Sequence, residues 1–187
     1  MNPNPSSAPT DAMRRIRRYS RGLAAACVVL IVTLPALVLL YWALAEPAEL
    51  ARQVKLSAGT VMTPLEPWQR VLGGVITLLP VAFLVSALIQ ARRCFGLFAA
   101  GRVFVVEATN YLRRFAGRVA ASVAVGMLCS TALSVVLTLG NPPGMRQVAI
   151  GVGSNEVFML LFAGMVWLMA AVIGQGQSLA EENESFV

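Results

Sequence analysis

Four long stretches without a charged side chain run through this sequence: Leu23 to Ala45, Val71 to Ala91, Val119 to Met145 and Val157 to Ala180. Each exceeds the roughly 20 apolar residues that a helix needs to cross the hydrocarbon core of a bilayer. No other feature restricts the fold as strongly. Peptide N–H and C=O groups in lipid must find partners within the protein, and only the helix supplies them all inside one segment. The apolar–polar alternation of a membrane barrel is absent. The expected fold class is therefore all-α, a four-span transmembrane helical bundle with spans at about 22–45, 69–91, 117–139 and 156–178. Charged residues make up 13% of the chain, against about a quarter in soluble domains.

The beginning of the chain invites a second reading. Arginines from Arg14 to Arg21, an apolar run, and Ala43 to Ala45 before Glu46 have the order of a cleavable signal peptide. Signal h-regions are about 7 to 15 residues long, and this run is longer, so a retained first span is expected. Residues 1–12 begin "MNPNPSSAPTD", which lacks hydrophobic periodicity and reads as a disordered tail. Residues 13–187 then form a single transmembrane domain.

Basic residues resist translocation and set orientation. Arg14, Arg15, Arg17, Arg18 and Arg21 precede span one, and Arg92, Arg93, Arg102, Arg113, Arg114 and Arg118 lie between spans two and three. The remaining loops hold Arg52, Lys55, Arg70 and Arg146. Eleven basic residues against four place both termini and the middle loop in the cytoplasm of a bacterial inner membrane. Tyr41, Trp42 and Trp68 then fall at the outer headgroup level, where amphipathic rings partition.

Chemistry-bearing residues are scarce. There is no His, no CxxC pair and no outer-loop cysteine, so neither metal, cofactor nor disulfide is expected. No ionisable residue sits in the middle of an expected span, which weighs against a proton-coupled carrier. Glu107 is the only acid of the middle loop, and a lone carboxylate is a poor catalytic set. No enzyme activity is expected. What the spans do carry is packing. Ser122, Gly126, Ser130 and Ser134 recur every four residues, with Thr138 next. They share one helix face, where small residues and hydroxyls favour close helix contact. Contact within the bundle, a homodimer seam and a polar pore lining all fit that row. Pro35 and Pro80 lie inside spans one and two; proline is common in membrane helices, so gating is not implied. Met159, Met165 and Met169 of span four read as gap-filling packing. Ser154 or Asn155 is expected to cap span four, with Glu156 near the positive end of its dipole.

The segment "FAAGRVFVVEATNYLRR" is too charged to cross a bilayer and too apolar for a solvated loop. Phe104, Ala108 and Leu112 recur every four residues, with Phe115 near the same face and arginines beside it. This pattern predicts a break at Gly101 and then a cytoplasmic amphipathic helix leading into span three. Arg92, Arg93, Arg102, Glu107, Arg113, Arg114 and Arg118 are candidates for binding a partner or lipid. A purely topogenic role explains the same arginines. The acidic end, with Glu181, Glu182 and Glu184, is a candidate to dock on them. "AAGRVF" is neither a dinucleotide fingerprint nor a P-loop, and no nucleic-acid-reading module surrounds the basic residues. Direct nucleic-acid binding is not expected.

The run "GRVFVVEATNYLRRFAGR" resembles the middle loop of an uncharacterised bacterial four-span membrane family, a domain of unknown function. Gly101, Phe104, Glu107, Leu112 and Arg113 stand where that family has its Gly, Phe, acidic and Leu-Arg positions. The ending "LAEENESFV" is similar to the family's acidic residues before an apolar pair, here Glu181, Glu182, Glu184, Phe186 and Val187. One departure is Val105, where the family often has Ser or Thr as a helix cap; such a cap contributes about 1 kcal/mol. The resemblance implies no enzyme activity. Family members are often encoded beside a Cro-like helix-turn-helix regulator, which implies a membrane-linked regulatory role.

The expected function is that of a non-enzymatic inner-membrane protein acting through helix packing and its basic loop. Its expected partners are the lipid bilayer, a second copy, or another membrane protein. The alternative is a small oligomeric channel or transporter component.

Overall fold

The computed structural model describes residues 8–47, 49–50, 66–102, 105–142, 144, 146, 148–149 and 153–184, with side chains between 13 and 176. Four helices account for most of them: α1 (Ala8–Leu44), α2 (Pro67–Ala99), α3 (Val106–Thr138) and α4 (Ser154–Glu184). Among the described residues there is no strand. All four helices are long and apolar enough to cross a membrane. Helix α1 begins at Ala8, inside the stretch expected to be irregular. Pro9 stands in its first turn, where a missing N–H costs nothing.

The helix ends follow from local chemistry. Pro67 opens α2, and the N–H of Glu66 before it donates to Gln69 Oε1 at 2.9 Å. At the other end, Gly101 has φ +83°. Its N–H donates to the Phe98 carbonyl, and the N–H of Arg102 to that of Leu97, each at 3.0 Å. These two bonds form a Schellman motif, which needs the left-handed conformation that glycine tolerates. The expected break at Gly101 is thus a C-cap, and it comes after α2 has run two turns past Ala91.

Helix α3 starts at Val106 with extended Val105 at its N-cap and no capping side chain. It continues without interruption to Thr138. The middle segment is therefore not a helix of its own but the opening turns of α3. No proline divides it from the apolar part, and Ala108, Thr109 and Ala116 are buried. Phe104 lies outside the described residues, while Leu112 and Phe115 are half-buried. Helix α4 is entered through Gly153, whose N–H donates to Glu156 Oε2 at 2.8 Å and whose carbonyl accepts from Val157 at 3.3 Å. Ser154 and Asn155, the expected caps, fall inside the first turn instead, because Glu156 reaches back to the residue before them.

The helices pack in chain order: α1 on α2, α2 on α3, α3 on α4. No contact of comparable extent joins α1 to α4. A core of Trp42, Ala45, Leu50, Leu133 and Leu137 lies at one end, flanked by Val38, Tyr41, Ile76 and Ala149. Trp42 is buried within the protein. Its indole lies against Gly73, and its Nε1–H donates to Thr77 Oγ1 at 3.0 Å. Arg70 closes the end of α1, donating to the carbonyls of Trp42 and Ala45 at 3.1 Å each and of Ala43 at 3.4 Å.

Cross-helix contacts fix the register. Gln69 Nε2 donates to the Val136 carbonyl at 2.9 Å, and Cys94 Sγ to the Ala108 carbonyl at 3.6 Å. Thr109 lies beside Gly174, and Arg113 over Trp167. Twenty residues back along α4 from Gly174 is Ser154, and twenty forward along α3 from Thr109 is Cys129. Helix α4 thus starts beside Cys129, nine residues short of the end of α3. The connection accordingly returns along α3, and the Ala149 N–H donates to Ser134 Oγ at 3.0 Å.

Candidate functional site at the basic end

The antiparallel packing gathers three stretches of arginine at one end: the start of α1, the end of α2 and the start of α3. Arg17 of α1 sits against Gly101 in the connection from α2 to α3, where an added β-carbon would lie 2.5 Å from its Nη2. That position disfavours a side chain by its φ, whereas the guanidinium above it ends a flexible chain that can move aside. Arg92 and Arg93 project from α2, and Arg113 and Arg114 from α3, all exposed and without an ion-pair partner among the described residues.

Other candidates have partners. Arg102 forms an exposed salt bridge with Glu107 at 3.4 Å, the kind of pair that contributes little stability. Arg118 Nη1 donates to Ser86 Oγ at 2.8 Å across the α2–α3 contact. Arg113 stacks its guanidinium over the Trp167 ring, 5.4 Å from the centroid. A cation held on an aromatic face keeps its charge and its in-plane donors while losing mobility. The acidic end continues α4 through Glu184; its side chains lie outside the described residues.

The row of small residues on α3 meets α2 at Pro80. Ser122 Oγ donates to the Pro80 carbonyl at 2.7 Å, and a β-carbon on Gly126 would touch Pro80 Cβ at 3.7 Å. Ser130 is half-buried. Ser134 is fully buried, donates to the Thr131 carbonyl at 2.7 Å and accepts from Ala149. Thr138 Oγ1 donates to the Ser134 carbonyl at 2.8 Å. Proline's ring fits a notch where α3 presents only a hydroxymethyl and a hydrogen.

Two contacts had weaker signals in the sequence. The Gly73–Gly74 pair makes room for Trp42, and adjacent glycines within an apolar span were the available clue. On α4, Ala163 and Ala170 are buried and Gly174 lies near Thr109. Met159, Met165 and Met169 are exposed, so they do not fill gaps inside this chain. The seam toward α3 is made of smaller residues, which let the helix backbones approach.

Where α3 and α4 meet at the basic end they leave a groove of about 490 Å³, lined by Thr109, Asn110, Arg113, Ala170, Gly174 and Gln175 among others. A recess of about 290 Å³ adjoins it, lined by Asn110, Arg113, Arg114 and Trp167. Among the described residues, no carboxylate lines either space. Among the described residues, no group of His, Cys, Asp and Glu is arranged to hold a metal ion.

Four long apolar helices, packed through small residues and leaving large apolar side chains on their outer faces, define a multi-pass membrane protein. A model of the DUF2975 family, proteins of unknown function, matches residues 56–187, and the chain belongs to that family. No curated protein and no solved structure matches it.

Proposed function

We propose that the protein is a non-enzymatic component of a bacterial cytoplasmic membrane that engages an anionic surface through its basic end. Both termini and the α2–α3 connection lie in the cytoplasm in this reading. The observation that carries it is the gathering of arginines from three helices at one end, several without a neutralising acid among the described residues. In the sequence, eleven basic residues precede span one or lie between spans two and three, against four in the other two loops. Such an asymmetry resists translocation and so favours the cytoplasmic side.

The register supports a placement in the bilayer. A core of roughly 20 residues per helix, laid across the cross-helix contacts, takes in about 23–44 of α1, 73–92 of α2, 112–131 of α3 and 154–172 of α4. Span three thus lies about five to eight residues closer to the N-terminus than the span expected at 117–139. Arg113 and Arg114 then stand at the inner boundary. Arg118 lies about 6–8 Å deeper, at about 1.5 Å per residue. Side chains on a helix lean toward its N-terminus, so Arg118 reaches back toward the headgroups while donating to Ser86. The opening turns of α3 act as the amphipathic element at that boundary.

A reporter active only outside the cytoplasm tests the orientation. Fused after Arg102 it is expected to be silent, and activity there overturns the proposal. Proteoliposomes holding the protein are expected to show no ion or solute passage. Flux that depends on α3 would assign a channel instead.

A further inference from the structure

The geometry points to a binding site for one phosphate-bearing lipid headgroup in the groove between the start of α3 and the end of α4. This inference rests on the functional reading above and gives it a specific ligand. Its first support is chemical. The groove and its adjoining recess bring two guanidinium groups, Arg113 and Arg114, together with the Asn110 and Gln175 amides, and among the described residues no carboxylate lines them. A phosphodiester offers oxygens that match a guanidinium fork.

The second support is preorganisation. Arg113 is held over Trp167 at 5.4 Å, so fewer rotamers are lost when an anion arrives. Its charge is not cancelled by that contact, because a ring attracts the cation without supplying a proton acceptor. The third support is shape. Ala170 and Gly174 floor the groove with small residues, and a β-carbon on Gly174 would come within 3.3 Å of Thr109 Cγ2. The two helices are thus in close contact at Gly174, and the groove opens beside that contact, where Ala170 and Ala171 carry only methyl groups.

The fourth support distinguishes a lipid from a free phosphate. From the groove toward the bilayer, α4 presents Leu168, Met165 and Leu161 on its exposed surface, next to a tryptophan that suits the interfacial layer. A headgroup placed in the recess would have apolar surface along which its acyl chains can run. A soluble phosphate gains nothing from that surface.

The test uses the full-length protein in detergent, with lipid retention read by native mass spectrometry. The probes are dilauroyl phosphatidylglycerol, dilauroyl phosphatidylcholine and inorganic phosphate. Retention of the phosphatidylglycerol is expected to fall tenfold or more in the pair Arg113→Gln with Arg114→Gln. The pair Arg92→Gln with Arg93→Gln removes the same charge outside the groove and is expected to change it less than twofold. Should the first pair misfold, Ala171→Leu, at another residue lining the groove, narrows it with the charges intact and is expected to lower retention likewise. Equal losses from both arginine pairs would overturn the groove while leaving the basic-end reading standing. No preference for the anionic lipid in the unaltered protein would overturn both. Displacement of the lipid by millimolar inorganic phosphate would reassign the site to a soluble anion.

Discussion

Replacing Gly73 by alanine should be among the most damaging single-methyl changes in this protein. A β-carbon there overlaps the Cζ3 and Cη2 atoms of the Trp42 ring and lies 2.8 Å from Cζ2. The indole must move by about an ångström or more to restore van der Waals separation. Its Nε1 now donates to Thr77 Oγ1 at 3.0 Å, and a shift of that size takes the pair beyond hydrogen-bonding distance. Overpacking of this kind costs about 1–3 kcal/mol, and a side-chain hydrogen bond in a membrane protein averages about 0.6 kcal/mol. The expected loss is about 2–4 kcal/mol. The neighbouring position supplies a control. At Gly74 a β-carbon would lie 3.7 Å from Trp42 Cβ, an ordinary contact. There alanine should be neutral, or stabilising by up to about 1 kcal/mol through helix propensity. Stability in detergent, followed by denaturant titration, separates the two. Trp42 fluorescence in a Trp68→Phe, Trp167→Phe background should shift to the red only for Gly73→Ala. Equal stability of the two variants, with unchanged Trp42 emission, would refute the packing argument.

Other expectations follow from single contacts. Ser122→Ala removes the bond to the Pro80 carbonyl and should cost about 0.6 kcal/mol, up to about 1.7. Gly126→Leu drives a side chain into Pro80 and should cost more, about 1–3 kcal/mol; unfolding in mixed micelles measures both. Arg70→Ala strips three carbonyls at the end of α1 of their donor. Because hydrogen bonds to a charged group are worth about 1.5–3 kcal/mol each when buried and less at a partly exposed site, a total loss of about 1–3 kcal/mol is expected. Hydrogen exchange at the end of α1 should rise with it. Ser134→Ala frees the Ala149 N–H, and the connection between α3 and α4 should then be cut faster by protease with the four helices retained.

The existence and type of all four helices were legible without coordinates. A charge-free run of sufficient length is a property of neighbours along the chain, and lipid leaves its backbone one economical conformation. Gly101 as a stop was equally readable, because few other residues accept its φ. Less was legible where a side chain chooses between lipid and protein. Trp42 reads as an interface anchor by its place at the end of an apolar run, yet it turns inward because Gly73 offers a hollow. The methionines of α4 read as packing by composition, yet they face outward because Ala163 and Ala170 hold the seam. The helix formed by Val106 onward reads as separate because arginines interrupt its apolarity, but charge does not break a helix, and no proline does so here.

The sequence alone determined four membrane-length helices, the breaks between them and the concentration of positive charge toward one side, since hydrophobic length and charge are local quantities. The tertiary structure decided how far each helix slides along the next. That offset depends on hollows and knobs far apart in the chain: Gly73 against Trp42, Pro80 against Ser122 and Gly126, Gly174 against Thr109. By setting α4 low on α3 it brings Trp167 under Arg113 and opens the groove, an arrangement that no single segment encodes.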